Sequence, residues 1–171
     1  MSNEHNKNNI LLIIAIVLLA LLALTGCAKI EVTPPTARSD APRSHALPVD
    51  YDRLWARTIG WFDAHEVEIT EINERFGLVS GVLYVAEDGA QLDCGTFHIE
   101  TALSQPQLSR EAHIRVQLNG AVLAHPQVLV AVTGRYKLDV IDNYAAQTVR
   151  KTGPCVSRGV LENEIISFLA G

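Results

Sequence analysis

Apolar residues follow three different patterns along the chain. Residues 10–24 form one unbroken apolar run, residues 50–64 repeat apolar positions at helical spacing, and much of residues 66–138 alternates between apolar and polar. In the second stretch Asp50 can cap a first turn, which predicts a helix over residues 50–64. The apolar stripe of this helix is Tyr51, Leu54, Trp55, Ile59 and Phe62.

The alternating stretch predicts about five antiparallel strands. They cover residues 66–70, 78–86, 93–101, 111–119 and 127–138, with residues 140–141 as an extension of the last. Turn residues separate the first three strands, at 73–77 and 87–89. The second strand is apolar on both faces and is therefore predicted to be central. The fourth alternates cleanly, and its inward residues are Ala112, Ile114, Val116 and Leu118.

A second helix is predicted to close the chain over residues 157–170, with Ser157 as its cap. Its apolar stripe is Leu161, Ile165, Phe168 and Leu169. The order helix, strands, helix predicts an α+β domain. We expect a single antiparallel sheet of about five strands, with one face solvated and the other covered by the N-terminal and C-terminal helices.

The apolar run near the N-terminus is short for a membrane span. As a helix it would be about 22 Å long, against roughly 30 Å for the hydrocarbon core of a bilayer. Leu24-Thr25-Gly26-Cys27 follows directly and resembles the lipobox of bacterial lipoproteins. The resemblance implies a signal peptide over residues 1–26, a diacylglycerol thioether on Cys27 and acylation of its new amine. An ordinary signal peptide, or a signal anchor with an incidental cysteine, is the alternative.

The resemblance also implies a location. Ala28 rather than Asp follows the cysteine, which in lipoproteins implies sorting to the inner leaflet of the outer membrane. Residues 27–48 contain four prolines and few large apolar groups, so we expect a lipidated tether that is disordered or partly polyproline-like. Residues 49–171 would form the α+β domain, facing the periplasm.

Two further cysteines, Cys94 and Cys155, predict one disulfide bond in an exported protein. If Phe97 and Ile99 face the helices, strict alternation points Cys94 away from them. A bulge at Gly95 would turn it inward. A nucleophilic Cys94 with His98 as its base is disfavoured, because four residues along a strand separate them by about 13 Å.

Metal binding depends on how two strands pair. If the third and fourth strands form a hairpin around residue 105, His98 lies opposite His113 and Glu100 lies opposite Glu111. Two imidazoles and two carboxylates on one solvated face are weak candidates for a zinc or copper site. The alternative is a polar, solvated strand face that binds no metal.

Four glutamates, Glu66, Glu68, Glu71 and Glu74, suggest either a calcium or acid–base cluster or a solvated strand face and turn, which we favour. The net charge is −5 and no basic cluster is present, which argues against nucleic acid as a partner. The chain lacks phosphate-binding glycine loops and the GxSxG, HExxH and CxxC motifs. We therefore expect no enzyme activity and no cofactor.

Residues 50–83, DYDRLWARTIGWFDAHEVEITEINERFGLVSGVL, are similar to a unit of small envelope lipoproteins, in which a Trp-containing helix precedes a strand, an acidic turn and a glycine. This unit resembles the helix-grip domains of the C lipoprotein of the outer-membrane β-barrel assembly machine. Residues 155–161, CVSRGVL, resemble a helix start that recurs in envelope lipoproteins. These are packing motifs, so no binding residue carries over.

The sequence thus predicts a non-enzymatic, lipid-anchored envelope protein that presents its domain to a protein partner. The alternative is a ligand-binding module that holds an apolar or lipid-like molecule between sheet and helix. Trp61, Phe76 and Tyr84 are the candidate residues for such a cleft, although core packing is the simpler role for a tryptophan on this helix.

Overall fold

The structure is a computed structural model that describes Ile14 and residues 29–36, 43–86, 90–100, 106–120, 125–142 and 147–171. Apart from Ile14, the predicted signal peptide with its lipobox-like segment and Cys27 lies outside these residues, as does the turn predicted at 87–89. The division at residues 26 and 48 therefore stays a prediction.

The described residues form nine strands and two helices. In chain order these are β1 Lys29–Thr33, β2 Arg43–Ala46, α1 Tyr51–Ala64, β3 Glu68–Asn73, β4 Leu78–Val85, β5 Leu92–Asp93, β6 Thr96–Glu100, β7 Pro106–Asn119, β8 Gln127–Asp142, β9 Gln147–Ser157 and α2 Val160–Ala170. A single 3-10 turn, Glu74–Phe76, joins β3 to β4.

Seven strands form one antiparallel sheet in the order β3-β4-β7-β8-β9-β5. The seventh strand, β2, pairs with Gln127–Val130 of β8, end to end with β9, which pairs with Thr133–Asp142. β1 and β6 form a separate two-stranded sheet. The α+β class is confirmed, but a single sheet of five strands is too simple.

Both helices pack on one face of the large sheet, which we call the inner face. Asp50 caps α1 as predicted, its carboxylate accepting a hydrogen bond from the backbone N–H of Arg53 at 2.9 Å. The alternation of β7 is also confirmed, since its inward residues Ala112, Ile114, Val116 and Leu118 are all buried. Burial of these apolar side chains between sheet and helices stabilises the fold.

The small sheet covers the part of the inner face that the helices leave open. Ile30 lies opposite Ile99, and Val32 lies opposite Phe97, with all four side chains packed against the core. The Phe97 ring meets the ring of Tyr136 on β8 edge to face, with centroids 4.8 Å apart. Phe97 and Ile99 thus face the core as predicted, but Phe97 meets the large sheet rather than the helices.

The expectation of disorder over residues 28–48 is wrong for β1 and β2. Each strand pairs with a segment more than 60 residues away along the chain, β1 with β6 and β2 with β8. Ile30 and Val32 supply alternating apolar side chains, and these have a core to enter once β6 is in place.

The predicted third strand is broken at Cys94 and Gly95. Gly95 has φ +81°, and a side chain there would overlap the carbonyl oxygen of Thr33. The Asp93 carboxylate accepts a hydrogen bond from the Gly95 N–H at 2.9 Å, which closes the turn. The irregularity expected at Gly95 thus turns Cys94 inward, where it is buried and forms the predicted disulfide with Cys155.

Strand β9 was missed, because residues 147–157 are mostly polar and include Gly153 and Pro154. The strand pairs with β8 from Gln147 to Val156. Gly153 is required there, because a Cβ atom would lie 2.6 Å from the ring of Tyr136. β5 pairs with β9 only at Val156 and Ser157, so Pro154 lies beyond β5, where a missing N–H is tolerated.

The closing helix begins three residues later than predicted. Gly159, with φ +80°, is the N-cap, and Ser157 instead ties the first turn together. Its hydroxyl accepts a hydrogen bond from the Gly159 N–H at 3.1 Å and donates one to the buried Glu162 carboxylate at 2.7 Å. Phe168, predicted to face inward, is exposed, whereas the other three stripe residues are buried.

Removal of the disulfide should destabilise the domain. The bond joins residues 61 positions apart, so its loss frees the unfolded chain and should lower the free energy of unfolding by up to about 4 kcal/mol. The Cys94→Ala/Cys155→Ala variant, measured by urea denaturation, checks this. The native protein unfolded in a reducing agent is the control, and equal midpoints with and without the bond would contradict the expectation.

Candidate functional site

The strand pairing on which the metal site depended is wrong. β6 pairs with β1, which puts His98 opposite Glu31. β7 pairs with β4 and β8, which puts His113 between Val82 and Thr133. Among the described residues, no group of three or more His, Cys, Asp or Glu side chains could hold a metal ion.

Each histidine instead lies near a glutamate of its own strand. His98 Nε2 is 3.4 Å from Glu100 Oε1, and His113 Nε2 is 3.9 Å from Glu111 Oε2. A nucleophilic role for Cys94 is also incompatible with this structure, because its sulfur is bonded to Cys155.

The three residues proposed for a ligand cleft are not brought together. Trp61 is fully buried in the core, whereas Phe76 and Tyr84 are about two-thirds exposed. Tyr84 lies opposite Glu111 on the outer face of the sheet, away from the helices. A cleft between sheet and helix lined by these residues is therefore wrong.

One flank of α1 is held firmly against α2. The imidazole of His65 stacks on the Trp61 ring at 4.2 Å, and its Nε2 lies 2.8 Å from Glu164 Oε1 on α2. One turn before Trp61, Arg57 Nη1 donates a hydrogen bond to the carbonyl oxygen of Leu169 at 2.8 Å. These contacts fix this flank of α1 against α2, so the opposite flank of α1 is turned toward the β3 side of the sheet.

That second flank carries Tyr51, Trp55 and Ile59, spaced four residues apart. The Tyr51 hydroxyl donates a hydrogen bond to the carbonyl oxygen of Glu74 at 3.3 Å, just after β3 ends. Because the chain reverses between α1 and β3, the Ile59 end of this flank lies beside the start of β3. Trp55 and Ile59 are partly buried against the core and partly exposed.

β3 is the terminal strand of the sheet and pairs, among the described residues, only with β4. Ile69 lies opposite Gly81 and Ile72 lies opposite Val79, two positions on the inner face. A register shift between Ile69 and Glu71 brings two isoleucines three residues apart onto the same face. Their exposed fractions are 41 and 55%, high for large apolar side chains.

We take the exposed Ile69 and Ile72 of β3 together with the partly exposed Trp55 and Ile59, on the flank of α1 turned away from α2, as one surface and call it the β3 groove. The sequence pattern did not reveal this surface, because Ile69 and Ile72 would lie on opposite faces of a regular strand. The three-residue spacing of isoleucines in a short strand was the available signal for the bulge.

Acidic residues surround the β3 groove. Residues 66–76 contain four glutamates and one arginine, and all four glutamates are exposed, as expected for a solvated strand and turn. Glu68 and Glu71 lie opposite Val82 and Ser80, on the outer face. Burial raises the pKa of Tyr51, and the carboxylate of Glu74 raises it further, in keeping with a negative potential at this end.

The outer face carries an ion pair on β8 and β9. Arg150 donates hydrogen bonds from Nε and Nη2 to the two carboxylate oxygens of Asp139, at 2.7 and 3.1 Å. This bidentate contact, helped by Lys137, holds the pKa of Asp139 below its ordinary value. The folded carboxylate thus binds a proton less readily than the unfolded one.

We expect the Asp139 carboxyl to titrate below the usual aspartate range, and Arg150→Gln to return its pKa toward that range. The stability that this pair contributes is present above the unfolded pKa and is lost as the pH falls through the folded pKa. Carbon-13 NMR titration of the carboxyl measures the shift. Arg135→Gln, on the same face, is the matched control, and an unchanged midpoint in Arg150→Gln would contradict the assignment.

No helix among the described residues is long and apolar enough to cross a membrane. No protein-family model, curated protein or solved structure matches the chain. The resemblances to bacterial lipoproteins and to helix-grip domains stay predictions. A shared fold would not by itself establish a function, so the function is inferred from the geometry of the β3 groove.

Proposed function

We propose that this protein is a non-enzymatic, lipid-anchored envelope protein that binds a protein partner through the β3 groove. The observation that supports the proposal most directly is the combination of exposed apolar side chains with an edge of β3 to which no described strand is paired. Either feature alone is common on protein surfaces, but together they match a recurring mode of peptide recognition.

The sequence supports a lipid anchor, and the start of β1 lies only two residues after the proposed lipid site. The lipobox implies lipidation at Cys27, and β1 begins at Lys29. Two residues span at most about 7 Å, so a lipid on Cys27 would hold the β1 end of the domain close to the bilayer surface. In this proposal the anchor orients the domain, and Ala28 places the anchor in the outer membrane.

Several observations favour binding over catalysis. Cys94 is consumed in a disulfide, and the strand register that would assemble two histidines and two glutamates is not formed. The β3 groove itself is apolar, and exposed glutamates surround it. Such a surface binds by shape, apolar burial and charge.

Loss of the lipid should release the protein from the membrane. We expect Cys27→Ala either to move from the membrane fraction to the soluble fraction or to keep its uncleaved leader. Without the cysteine it cannot carry the acyl chains that firm anchoring needs. Membrane fractionation and intact-mass analysis measure this. Cys94→Ala/Cys155→Ala, which keeps the lipobox, is the control. Retention of Cys27→Ala together with an unmodified native N-terminus would overturn the anchor.

Polar substitutions in the β3 groove should abolish partner capture without unfolding the domain. We expect Ile69→Ser/Ile72→Ser to lose most of the envelope protein crosslinked to the native chain, while the melting temperature changes little because both side chains are largely exposed. Phe168→Ser, which changes an exposed apolar residue of α2, is the matched control.

Crosslinking in intact cells followed by affinity purification provides the measurement. Equal recovery of partners by the native and Ile69→Ser/Ile72→Ser proteins would exclude the β3 groove as the binding surface. Recovery of no envelope protein above background by the native chain would overturn the binding function itself.

A further inference from the structure

We propose that the partner binds as an extended segment added to the sheet beside β3, and that its apolar side chains alternate with lysine or arginine. This rests on the proposed function and names the chemistry of the partner. Three features of the described residues support it: the free backbone edge, the apolar inner side and the acidic outer side of that edge.

The backbone provides the first support. β3 has six residues and makes its strand pairing with β4, so its far edge presents N–H and C=O groups to which no described strand is bonded. An extended segment about 4.8 Å away would bond these groups in the same way as β4 does. The length of β3 suits an added strand of about five residues.

Side chains on the inner face provide the second support. Those of an added strand would extend beside Ile69 and Ile72, whose side chains are exposed. Because strand side chains alternate between faces, every second residue of the added strand would lie along the β3 groove. Apolar residues at these positions would bury the exposed isoleucines.

Charge on the outer face provides the third support. Glu68 and Glu71 are exposed on this side of β3, and Glu66 and Glu74 flank the strand. The remaining residues of an added strand would point to the same side, beside these carboxylates. Opposite charges at neighbouring cross-strand positions stabilise a sheet, which favours lysine or arginine there.

The same charges disfavour a second copy of the chain as the occupant. Pairing of β3 with β3 would place Glu68 and Glu71 among the glutamates of the other copy, and like charges across strands destabilise a sheet. The bulge between Ile69 and Glu71 also interrupts a regular ladder, as edge strands that avoid self-association do. A short basic segment of another protein does not meet the charge repulsion.

Fluorescence anisotropy with synthetic peptides tests the inference on the full-length protein solubilised in detergent. The first peptide alternates lysine and valine over eight residues, and the second has the same composition with the lysines and valines in two blocks. We expect the alternating peptide to bind at least tenfold more tightly. Equal affinities, or no binding of the alternating peptide, would overturn the inference.

N-methylation of the peptide distinguishes strand addition from simple apolar or ionic adhesion. Two further alternating peptides carry N-methyl groups on the odd or on the even residues, so that each removes the N–H donors of one edge. We expect one of them to lose binding at least tenfold and the other to retain it. Retention of binding by both would overturn strand addition.

Charge reversal on the protein tests the outer face. Glu68→Lys/Glu71→Lys should weaken the alternating lysine peptide at least tenfold and strengthen a peptide with glutamate in place of lysine. Glu31→Lys/Glu100→Lys, which reverses two exposed glutamates of the small sheet, is the matched control. An equal effect of both double variants would show only long-range attraction and overturn the specific site.

Failure of this inference differs from failure of the proposed function. If cells yield a partner whose capture requires Ile69 and Ile72, but the peptides and charge reversals show no effect, the basic added strand is wrong and the binding function stands. If cells yield no partner, the function fails. A concentration-dependent dimer in ultracentrifugation that Ile69→Ser/Ile72→Ser abolishes would assign the edge to a second copy instead.

Discussion

The need to cover one face of a long β-hairpin determines much of this structure. β7 and β8 have 14 and 16 residues, so β8 is about 54 Å long, whereas α1 with its 14 residues is about 21 Å long. Two such helices cannot cover the whole inner face of these strands. The β1–β6 sheet covers the rest, and Phe97 packs on Tyr136 there.

The break at Gly95 makes this second cover available. The glycine ends β5 on the large sheet and starts β6 away from it, while the adjacent Cys94 is bonded to Cys155 on β9. The same break withdraws His98 from the sheet that carries His113, so the two histidines belong to different layers. One turn therefore determines both the packing of the small sheet and the absence of the register needed for a metal site.

At the opposite end of the sheet, beside β3, part of the inner face is left exposed. There α1 is held on its α2 side by Trp61, His65 and Arg57, and its other flank lies next to a terminal strand. The bulge in β3 places Ile69 and Ile72 on the inner face, but no described strand or helix covers them. Exposed glutamates surround this apolar surface, and like charges oppose the pairing of two such edges.

The sequence by itself determined the features that depend on neighbouring residues. The cap at Asp50, the helical stripe of α1, the alternation of β7 and the inward turn at Gly95 all follow from local periodicity and backbone preference. The cysteine pair was also predictable from the sequence, since two remaining cysteines in a chain predicted to be exported favour one bond. The lipobox resemblance likewise depends on four consecutive residues, and lipidation of Cys27 remains a prediction.

Only the tertiary structure decided which strands are neighbours. β1, β2 and β9 are short of apolar residues or rich in proline and charge, and they become strands because a partner edge is present. The β3 groove likewise depends on a bulge that shifts the parity of Ile72 and on the flank of α1 that α2 leaves free. Strand pairing and register are set by surfaces far apart in the chain, so local patterns do not contain them.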